Sequence, residues 1–225
     1  MGSMQPFTDP AAVARYADDT PRKVPGFSDL HRMAMLLLAE HAPQAADILV
    51  LGAGGGLELK AFAEAQADWR FIGVDPSGEM LDLARQILGP LQKRVTLQQG
   101  YVDVAPQGPF DGATCLLTLH FLARDERLHA LREIYRRLKP GAPLVVAHHS
   151  HPSGCDLHTW LARSVAFASG EIADLAAASP SARMMAARLP VLSCDEDEAL
   201  LLQAGFSDVA LFYAGFSFRG WVAIA

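Results

Sequence analysis

The chain has 225 residues, of which 51% are hydrophobic, and it carries a formal net charge of −6 at pH 7. This length and composition predict one globular domain with its own core. Proteins that bind nucleic acid usually carry a stripe of basic residues, so the acidic balance argues against a nucleic-acid partner.

The cysteines and the apolar segments bear on the location of the protein. Cys115, Cys155 and Cys194 form an odd set without paired spacing, which indicates free thiols in a reducing compartment. No apolar segment has membrane-spanning length, and the N-terminus lacks the apolar core of a signal peptide. We therefore expect a cytoplasmic protein without a membrane partner. Residues 1–3 are interpreted as a cloning remnant.

The N-terminal segment, residues 4–45, is predicted to be distinct from the main domain of residues 46–225. Residues 4–25 are polar and contain four prolines, which makes them a poor candidate for core. Residues 29–41 are predicted to form a helix, because apolar side chains recur on one face. Those apolar residues are Leu30, Met33, Leu37 and Leu38.

Residues 47–56 organise the rest of the chain. Residues 48–51 are an uninterrupted apolar run of strand length, as expected for a strand covered on both faces of a parallel sheet. The glycines that follow allow a sharp turn and the close approach of bare backbone to a ligand. From Leu57 the apolar period becomes helical. A strand, a glycine turn and a helix N-terminus together predict a site for the polar part of a nucleotide-like ligand.

A second apolar run, residues 71–74, ends at Asp75, 23 positions after Gly52. A doubly wound sheet places the carboxylate that binds ribose hydroxyls at about this distance. Asp75 and the adjacent Pro76 are therefore predicted to bind the ligand.

The remaining pattern alternates between strands and helices and then changes. Ser77 is a candidate N-cap for a helix that stops at Gly89-Pro90. Further strands are predicted at residues 95–99, 110–118 and 144–147, with a helix around residues 128–138 between the last two. This order predicts a parallel sheet wound with helices. Residues 151–192 are predicted to be a helical insert. A helix that opens with a capping box at Ser193 and a hairpin of residues 207–213 and 216–225, joined at Ala214-Gly215, complete the chain.

The glycine spacing resembles a known motif. The dinucleotide fingerprint requires glycine at position 57, which is Leu57, whereas the sequence offers G-x-G-x-G at Gly52, Gly54 and Gly56. This pattern resembles motif I of the class I S-adenosylmethionine-dependent methyltransferases, and the terminal hairpin resembles their antiparallel last strands. The resemblance implies a Rossmann-like α/β three-layer sandwich with a seven-stranded, mostly parallel sheet and a C-terminal antiparallel hairpin. It also implies S-adenosyl-L-methionine as cofactor. The acid that these enzymes usually carry two residues before the first glycine is Val50 here.

Three segments resemble one group within this family, the carboxy-S-adenosylmethionine synthases, which act in wobble-uridine modification of tRNA. The segments are residues 22–28, 118–122 and 204–206 with the hairpin that follows, and the similarity runs from about residue 22 to the C-terminus. The resemblance implies cofactor contacts from Gly52, Ala53, Gly54, Gly56, Asp75 and Val102. Phe27 replaces a lid tyrosine, Leu116 replaces an asparagine, and Tyr101 replaces an acid for which Asp103 is a substitute. Arg183 is the approximate match for an arginine that binds the extra carboxylate.

Histidines follow the predicted fifth strand, and ligands bind outside the carboxyl ends of parallel strands. His148, His149, His151 and His158 are half of the eight histidines in the chain. Three interpretations remain open: a metal site, a general base or hydrogen-bonding group for the acceptor, and solvated loop histidines. His120, after the fourth strand, is predicted either to contact substrate or to pack under the following helix. The candidate catalytic residues are therefore His149, His151 and His120, with no metal ligand assigned.

The sequence thus predicts a single-domain methyltransferase that acts on a small or moderately sized acceptor. One alternative is synthesis of the carboxylated cofactor, and another is a non-catalytic cofactor-binding module. A nicotinamide oxidoreductase is disfavoured by Leu57 and by the terminal hairpin. The acceptor and the oligomeric state, a homodimer included, are left open.

Overall fold

The computed structural model of the chain describes residues 9–170 and 174–225. Residues 1–8, which include the first part of the predicted N-terminal segment, and residues 171–173 of the predicted insert lie outside the described residues. Within the described ranges, no helix combines the length and the hydropathy needed to cross a membrane.

The centre of the molecule is one sheet whose strands follow the order β3-β2-β1-β4-β5-β8-β7, with a short strand, β6, paired to β5. The first five strands are parallel, and β8 and β7 are antiparallel, as the sequence predicted. The strands are β1 (Asp47–Leu51), β2 (Arg70–Asp75), β3 (Val95–Gln99), β4 (Gly112–Leu116), β5 (Pro143–His151), β6 (Leu192–Ser193), β7 (Ser207–Gly215) and β8 (Phe218–Ile224).

Helices cover both faces of this sheet. They are α1 (Pro10–Lys23), α2 (Phe27–Ala39), α3 (Leu57–Ala65), α4 (Gly78–Leu88), α5 (Arg124–Arg137), α6 (Leu157–Ser169), α7 (Leu175–Arg188) and α8 (Cys194–Ala204). Alternate residues of β1 enter two separate cores, because successive strand side chains point to opposite faces. Ile48 and Val50 pack with α2, α3 and α4, whereas Leu49 and Leu51 pack with α5 and α8. The result is the predicted three-layer sandwich.

The polar stretch before Val24 forms a helix, α1, that the sequence interpretation did not include. The Asp9 side chain caps it by accepting a hydrogen bond from the Ala11 backbone N–H at 3.0 Å. Pro10 occupies the first turn, where a missing backbone N–H costs nothing. No residue of α1 is fully buried, which agrees with the expectation that this stretch is a poor candidate for core.

The predicted end of the fifth strand at residue 147 was wrong, because β5 continues to His151. The antiparallel ladder with β8 extends as far as the pair His149 and Phe218, and β6 then pairs with Ser150 and His151. Both partners supply the backbone hydrogen bonds that a strand needs. His148 and His149 therefore lie inside the sheet, with exposed fractions of 1% and 7%, and the interpretation as solvated loop histidines is wrong for both.

Smaller differences occur where turns were placed by pattern alone. The hairpin turns at Phe216 and Ser217 rather than at Ala214-Gly215, because Gly215 still pairs with Phe218. The fourth strand is shorter than predicted and spans Gly112–Leu116. A 3-10 helix, Gly89–Arg94, follows α4 directly, and only a single 3-10 turn, Val102–Val104, lies between β3 and β4.

A buried ionic cluster ties α5, α8 and β5 together. The Arg127 guanidinium donates to the Asp197 carboxylate. The exposed fractions of the two side chains are 1% and 2%. His148 Nε2 lies 3.2 Å from the same carboxylate oxygen. Burial by itself would raise the pKa of Asp197, but His148 and Arg127 outweigh burial and hold that pKa below its usual value. The lowered pKa means that this carboxylate adds stability at neutral pH, which is lost as pH falls through its folded-state pKa.

We expect Arg127→Met to lower the free energy of unfolding by about 3–5 kcal/mol at pH 7, because it leaves the Asp197 charge buried without its cation. The double variant Arg127→Met/Asp197→Leu should recover most of this loss, since no buried charge remains. Urea titrations of the three proteins measure both effects. A double variant that is less stable than the single variant would contradict the assignment of the cost to the unpaired carboxylate.

Candidate active site

The turn after β1 is built so that side chains are excluded from it. Gly52, Gly54 and Gly56 have φ angles of 77°, 49° and 80°, a region that glycine enters without steric cost. A Cβ on Gly52 would lie 1.9 Å from the Thr118 hydroxyl oxygen, so only glycine fits there. A Cβ on Gly56 would lie 2.9 Å from the Ala84 Cβ, so this glycine permits close packing of α3 on α4. The three glycines therefore serve different purposes.

The carboxylate of Asp75 fixes the position of this turn. One oxygen accepts the Gly54 backbone N–H at 2.9 Å, and the other accepts the Ser77 backbone N–H at 2.9 Å. Burial raises the pKa of Asp75, and the two hydrogen bonds oppose that shift. A carboxylate offers about four lone-pair positions, so Asp75 retains capacity for ligand hydroxyls while it holds the loop.

Two adjoining cavities open at the carboxyl edge of the parallel strands. The first has a volume of about 340 Å³ and the second about 570 Å³, and both are within the range of small-molecule sites. Their walls share Gly52, Pro76 and Thr118. The second cavity is further lined by Tyr101, Val102 and Asp103, and Asp103 Oδ1 lies 3.0 Å from His129 Nε2.

The N-terminal helices form one wall of the first cavity. The ring of Tyr16 packs on the glycine turn, where a Cβ on Gly55 would lie 2.7 Å from Tyr16 Cδ1. Phe27 and His31 of α2 line the same cavity, and the centroids of their two rings are 4.4 Å apart. Burial lowers the pKa of His31 to about 4, so its imidazole is neutral at pH 7. Arg15 and Lys23 of α1 also line this cavity.

His120 and His149 also line the first cavity, where their rings meet edge-on with centroids 4.8 Å apart. The His149 backbone N–H donates to His120 Nδ1 at 3.4 Å. Because that nitrogen accepts, a neutral His120 carries its proton on Nε2. The His149 ring stacks on Phe218 at 4.0 Å, and its Nδ1 lies 2.8 Å from the Ser217 hydroxyl oxygen. Ser217 Oγ in turn lies 2.6 Å from Ser164 Oγ.

Both imidazoles are neutral at pH 7. Burial, with a smaller contribution from His148, lowers the pKa of His149 to about 3, and a hydrogen bond to the Ser217 backbone opposes this shift. Burial followed by the neighbouring histidines holds the pKa of His120 well below its ordinary value. When His149 Nδ1 carries the proton, it donates to the Ser217 hydroxyl oxygen. His120 then presents a donor and His149 an acceptor.

The first cavity also contains a buried carboxyl group, that of Glu58 in the first turn of α3. Its Oε1 accepts a hydrogen bond from the Thr114 hydroxyl of β4. Burial raises the pKa of Glu58 to about 8, and the Thr114 hydrogen bond only partly offsets that effect. This group is therefore largely protonated at pH 7 in the free protein.

The structure brings together most of the residues predicted from the sequence. The first cavity is lined by Phe27, Gly52, Ala53, Gly54, Asp75, Pro76, Leu116, His120 and His149, and the second by Tyr101, Val102 and Asp103. Neither set of lining residues includes His151, Arg183 or the predicted cofactor residue Gly56, which packs against Ala84 instead. His151 Nδ1 instead lies 3.1 Å from the Pro152 carbonyl oxygen. In the described parts of the chain, no group of three or more His, Cys, Asp or Glu side chains is arranged to hold a metal ion.

Sequence reasoning missed four residues that the structure places in or behind the site: Tyr16, His31, Glu58 and Ser217. Two of them had a visible signal. Glu58 lies four positions before the buried Phe62, on the face of α3 that packs inward. Tyr16 shares helical spacing with Ala12 and Thr20, which line the same cavity. The other two depend on how distant segments pack.

Comparisons with known proteins agree with this geometry. Residues 48–141 match the family model described as a methyltransferase domain. A carboxy-S-adenosyl-L-methionine synthase of Alteromonas mediterranea is 25% identical over 230 aligned residues, which cover 96% of this chain and 91% of that protein. A synthase of the same name from Glaesserella parasuis is 26% identical and covers 96% of this chain and 92% of that protein.

Solved structures share the fold at lower identity. A Nostoc punctiforme protein described as a candidate O-methyltransferase superposes with a TM-score of 0.71 at 20% identity, covering 100% of this chain and 62% of that one. The chain therefore has the fold of the class I methyltransferases, and its residues 48–141 are similar to the methyltransferase domain family. Within this class it is similar, over nearly its whole length, to the carboxy-S-adenosyl-L-methionine synthases.

We expect Gly54→Val to abolish binding of S-adenosylhomocysteine, a loss of more than about 100-fold in affinity, or about 2.7 kcal/mol. The branched side chain would have to adopt a positive φ, and its Cβ would lie 3.0 Å from the Tyr16 hydroxyl oxygen. Calorimetric titration measures the affinity, and circular dichroism checks that the fold is kept.

The matched control for this variant is Gly154→Val. Gly154 also has a positive φ, 74°, but a Cβ there would meet nothing within 4 Å, and the residue lines neither cavity. It should bind S-adenosylhomocysteine as the parent protein does. Unchanged affinity in Gly54→Val would show that the ligand does not approach this turn.

Proposed function

We propose that the chain is an S-adenosylmethionine-dependent methyltransferase that acts on a small or moderately sized acceptor. The enzyme class and the cofactor follow from the methyltransferase domain of residues 48–141. The observation that supports an acceptor site is the pair of neutral imidazoles, His120 and His149, on the wall of the first cavity. The helices α1 and α2 line the same cavity, which supports a role for residues 4–45 as a lid.

The residues of the site fit a cationic adenosine compound. The glycine turn leaves bare backbone for a ligand to approach, and Gly52 also packs against Thr118, which lines both cavities. Asp75 lies where ribose hydroxyls are bound in doubly wound sheets. Two cavities that meet at Gly52 and Pro76 suit a ligand with a nucleoside part and an amino-acid part. The buried Glu58 carboxyl suits a positive charge.

When bound, S-adenosylmethionine supplies a methyl group on a sulfonium, and its transfer is an in-line displacement. The protein contributes orientation and the exclusion of water. With a pKa of about 3, His149 is too weak a base to hold a proton at neutral pH. Its Nε2 lone pair instead accepts a hydrogen bond from an acceptor hydroxyl or amine and orients that group. The His120 Nε2–H donates to a second polar atom of the same acceptor. Ser217 and Ser164 hold the His149 ring in this orientation, and the stacking on Phe218 restricts its rotation.

The proposal also covers the location of the protein, the class of its acceptor, its oligomeric state and its domain boundaries. The three cysteines are free, which supports a cytoplasmic location. A net charge of −6 supports a small molecule rather than a nucleic acid as acceptor. A homodimer is compatible with the chain but no described contact argues for it. We retain residues 46–225 as the catalytic domain and the helices between β5 and β6 as the segment that shapes the acceptor site.

The direct test is mass spectrometry of the ligand retained through purification, followed by a screen of small phenols, carboxylic acids and amines for release of S-adenosylhomocysteine. Retention of S-adenosylmethionine or S-adenosylhomocysteine and turnover with one acceptor class are expected. Failure to bind either compound in a titration would overturn the proposal.

With the acceptor from that screen, we expect His149→Gln to lower turnover roughly tenfold, because the acceptor loses the hydrogen bond that orients it. Affinity for S-adenosylhomocysteine should change little. The pKa of His149 is about 3. Titration of this group should therefore cause no inflection near pH 6.5 in the pH dependence of the parent enzyme's rate. Initial rates between pH 5 and pH 8 check both statements.

His151→Gln is the control for this variant, because His151 belongs to the same strand but does not line either cavity. Its turnover should equal that of the parent enzyme. If instead the His151 variant loses turnover and the His149 variant keeps it, the acceptor lies beyond the first cavity and the assignment of His149 is wrong.

A second candidate function, synthesis of the carboxylated cofactor, is favoured by the similarity to carboxy-S-adenosyl-L-methionine synthases over 96% of the chain. A carboxylated sulfonium needs cations or several donors around its added charge. Leu116 and Phe27 line the first cavity but carry no donor, and Arg183 is not among its lining residues. Arg15 and Lys23 do line it, although both lie within 3.7 Å of the exposed Asp19 carboxylate.

We expect S-adenosylmethionine to bind more tightly than its carboxylated form, because exposed cations shared with Asp19 stabilise an added carboxylate only weakly. A competition titration against labelled S-adenosylhomocysteine ranks the two ligands. Tighter binding of the carboxylated form that is lost in Arg15→Ala or Lys23→Ala would instead establish the synthase.

A further inference from the structure

The buried carboxyl group of Glu58 lines the first cavity, and no cationic side chain of the described residues is in hydrogen-bond contact with it. Val50 stands where related methyltransferases usually carry an acid, two residues before the first glycine. In the sheet, Val50 of β1 is paired in register with Thr114 of β4. Thr114 is the residue whose hydroxyl hydrogen-bonds Glu58. The carboxyl group of α3 therefore reaches the strand position next to the one that has lost its acid.

We propose that Glu58 binds the α-ammonium group of the cofactor's amino-acid part, and that it releases a proton to solvent when the cofactor binds. This inference rests on the proposed function, since it assigns a residue to the cofactor of that reaction. The proton balance is simple: neutral Glu58 and the cationic ligand become a carboxylate–ammonium pair and one free proton.

The chemistry of the cofactor selects the ammonium rather than the sulfonium as the partner. A carboxylate held against the sulfonium methyl group would itself be a nucleophile in line for alkylation. The α-ammonium carries three donors and cannot be attacked in this way. A charge-assisted hydrogen bond in a buried site also offsets the cost of ionising the carboxyl group.

The groups around Glu58 determine its response to pH. Tyr16 of α1 interacts electrostatically with Glu58 and with Asp75, the last residue of β2. Cys115 of β4 also interacts with the Glu58 charge. Burial, with help from Glu58 and Asp75, raises the pKa of the Tyr16 hydroxyl, so it stays neutral. His31 and His120 are neutral because of burial. The cations on the cavity wall, Arg15 and Lys23, pair with Asp19.

The pKa of Glu58, about 8, makes the coupling measurable. At pH 7 the free carboxyl group is mostly protonated, so binding that requires the carboxylate must release close to one proton. For the same reason, affinity should rise about tenfold per pH unit between pH 6 and pH 7 and level off above pH 8.

The test is calorimetric titration of the full chain with S-adenosylhomocysteine at pH 7, in buffers of different ionisation enthalpy. The parent protein should release about one proton per ligand bound. Glu58→Gln keeps a side-chain oxygen for Thr114 and matches the neutral acid in size, so it should fold. It should release no proton, bind roughly 10- to 100-fold more weakly, and show no dependence on pH in this range.

Two controls make the result specific. Glu64→Gln removes an exposed acid from the same helix, where Glu64 lies 3.9 Å from Lys60, and should behave as the parent protein does. The ligand 5′-methylthioadenosine lacks the amino-acid part, so it should bind without proton release and equally well to the Glu58→Gln variant.

Proton release that persists in Glu58→Gln would overturn the inference and identify another group, Asp75 first, as its source. Binding of S-adenosylhomocysteine to the parent protein without proton release would also overturn it, while leaving the proposed function intact. If the parent protein does not bind S-adenosylhomocysteine at all, the proposed function fails and this inference fails with it.

Discussion

The carboxylate of Asp75 is the interaction on which the cofactor end of this fold depends. It accepts one backbone N–H from the glycine turn after β1 and another from Ser77, the N-cap of α4. Two loops that are separate in sequence are thereby fixed to the end of β2. Without this side chain, both N–H groups would be left without an acceptor in a partly buried place, which costs more than the net value of a typical hydrogen bond. The turn is therefore formed before any ligand arrives, and a ligand does not have to order it.

A second constraint is the length of β5, which carries polar side chains deep into the sheet. Alternation along the strand sends His149 to the first cavity and His148 to the opposite face, where it meets Asp197. Each histidine is therefore held by a different set of neighbours. On one face, Ser217 and Phe218 orient a neutral ring toward the cavity. On the other face, a buried ion pair anchors α5 and α8 to the same strand. The strand that presents His149 is thus held by contacts on both of its faces.

The sequence predicted the fold well because the sheet depends on local patterns. Apolar runs bounded by glycine and Asp75 predicted β1 and β2, and Ser77 and Ser193 were recognised as helix starts. The site was predicted in part. The residues attached to strand ends, such as Asp75 and His120, could be placed from the order of the strands alone. The extent of β5 could not, because it depends on partners, β6 and β8, that lie more than 40 residues further along the chain. Tyr16 and Ser217 depend in the same way on packing between distant segments.

The departures from the family pattern become understandable when the source of each polar group is considered. The strand positions that usually carry polar groups hold Val50 and Leu116, which would remove cofactor contacts if nothing replaced them. The cavity nevertheless contains a carboxyl group from α3, in the form of Glu58, and hydroxyl and cationic groups from α1. The helices that supply these groups, α3 and α1, differ in how much of their surface is packed against the rest of the protein. Glu58 belongs to a helix packed on the sheet through the buried Leu59 and Phe62, whereas α1 has no fully buried residue and costs little to displace. In the proposed function, the constant part of the ligand contacts the elements packed on the sheet, and α1 serves as the proposed lid.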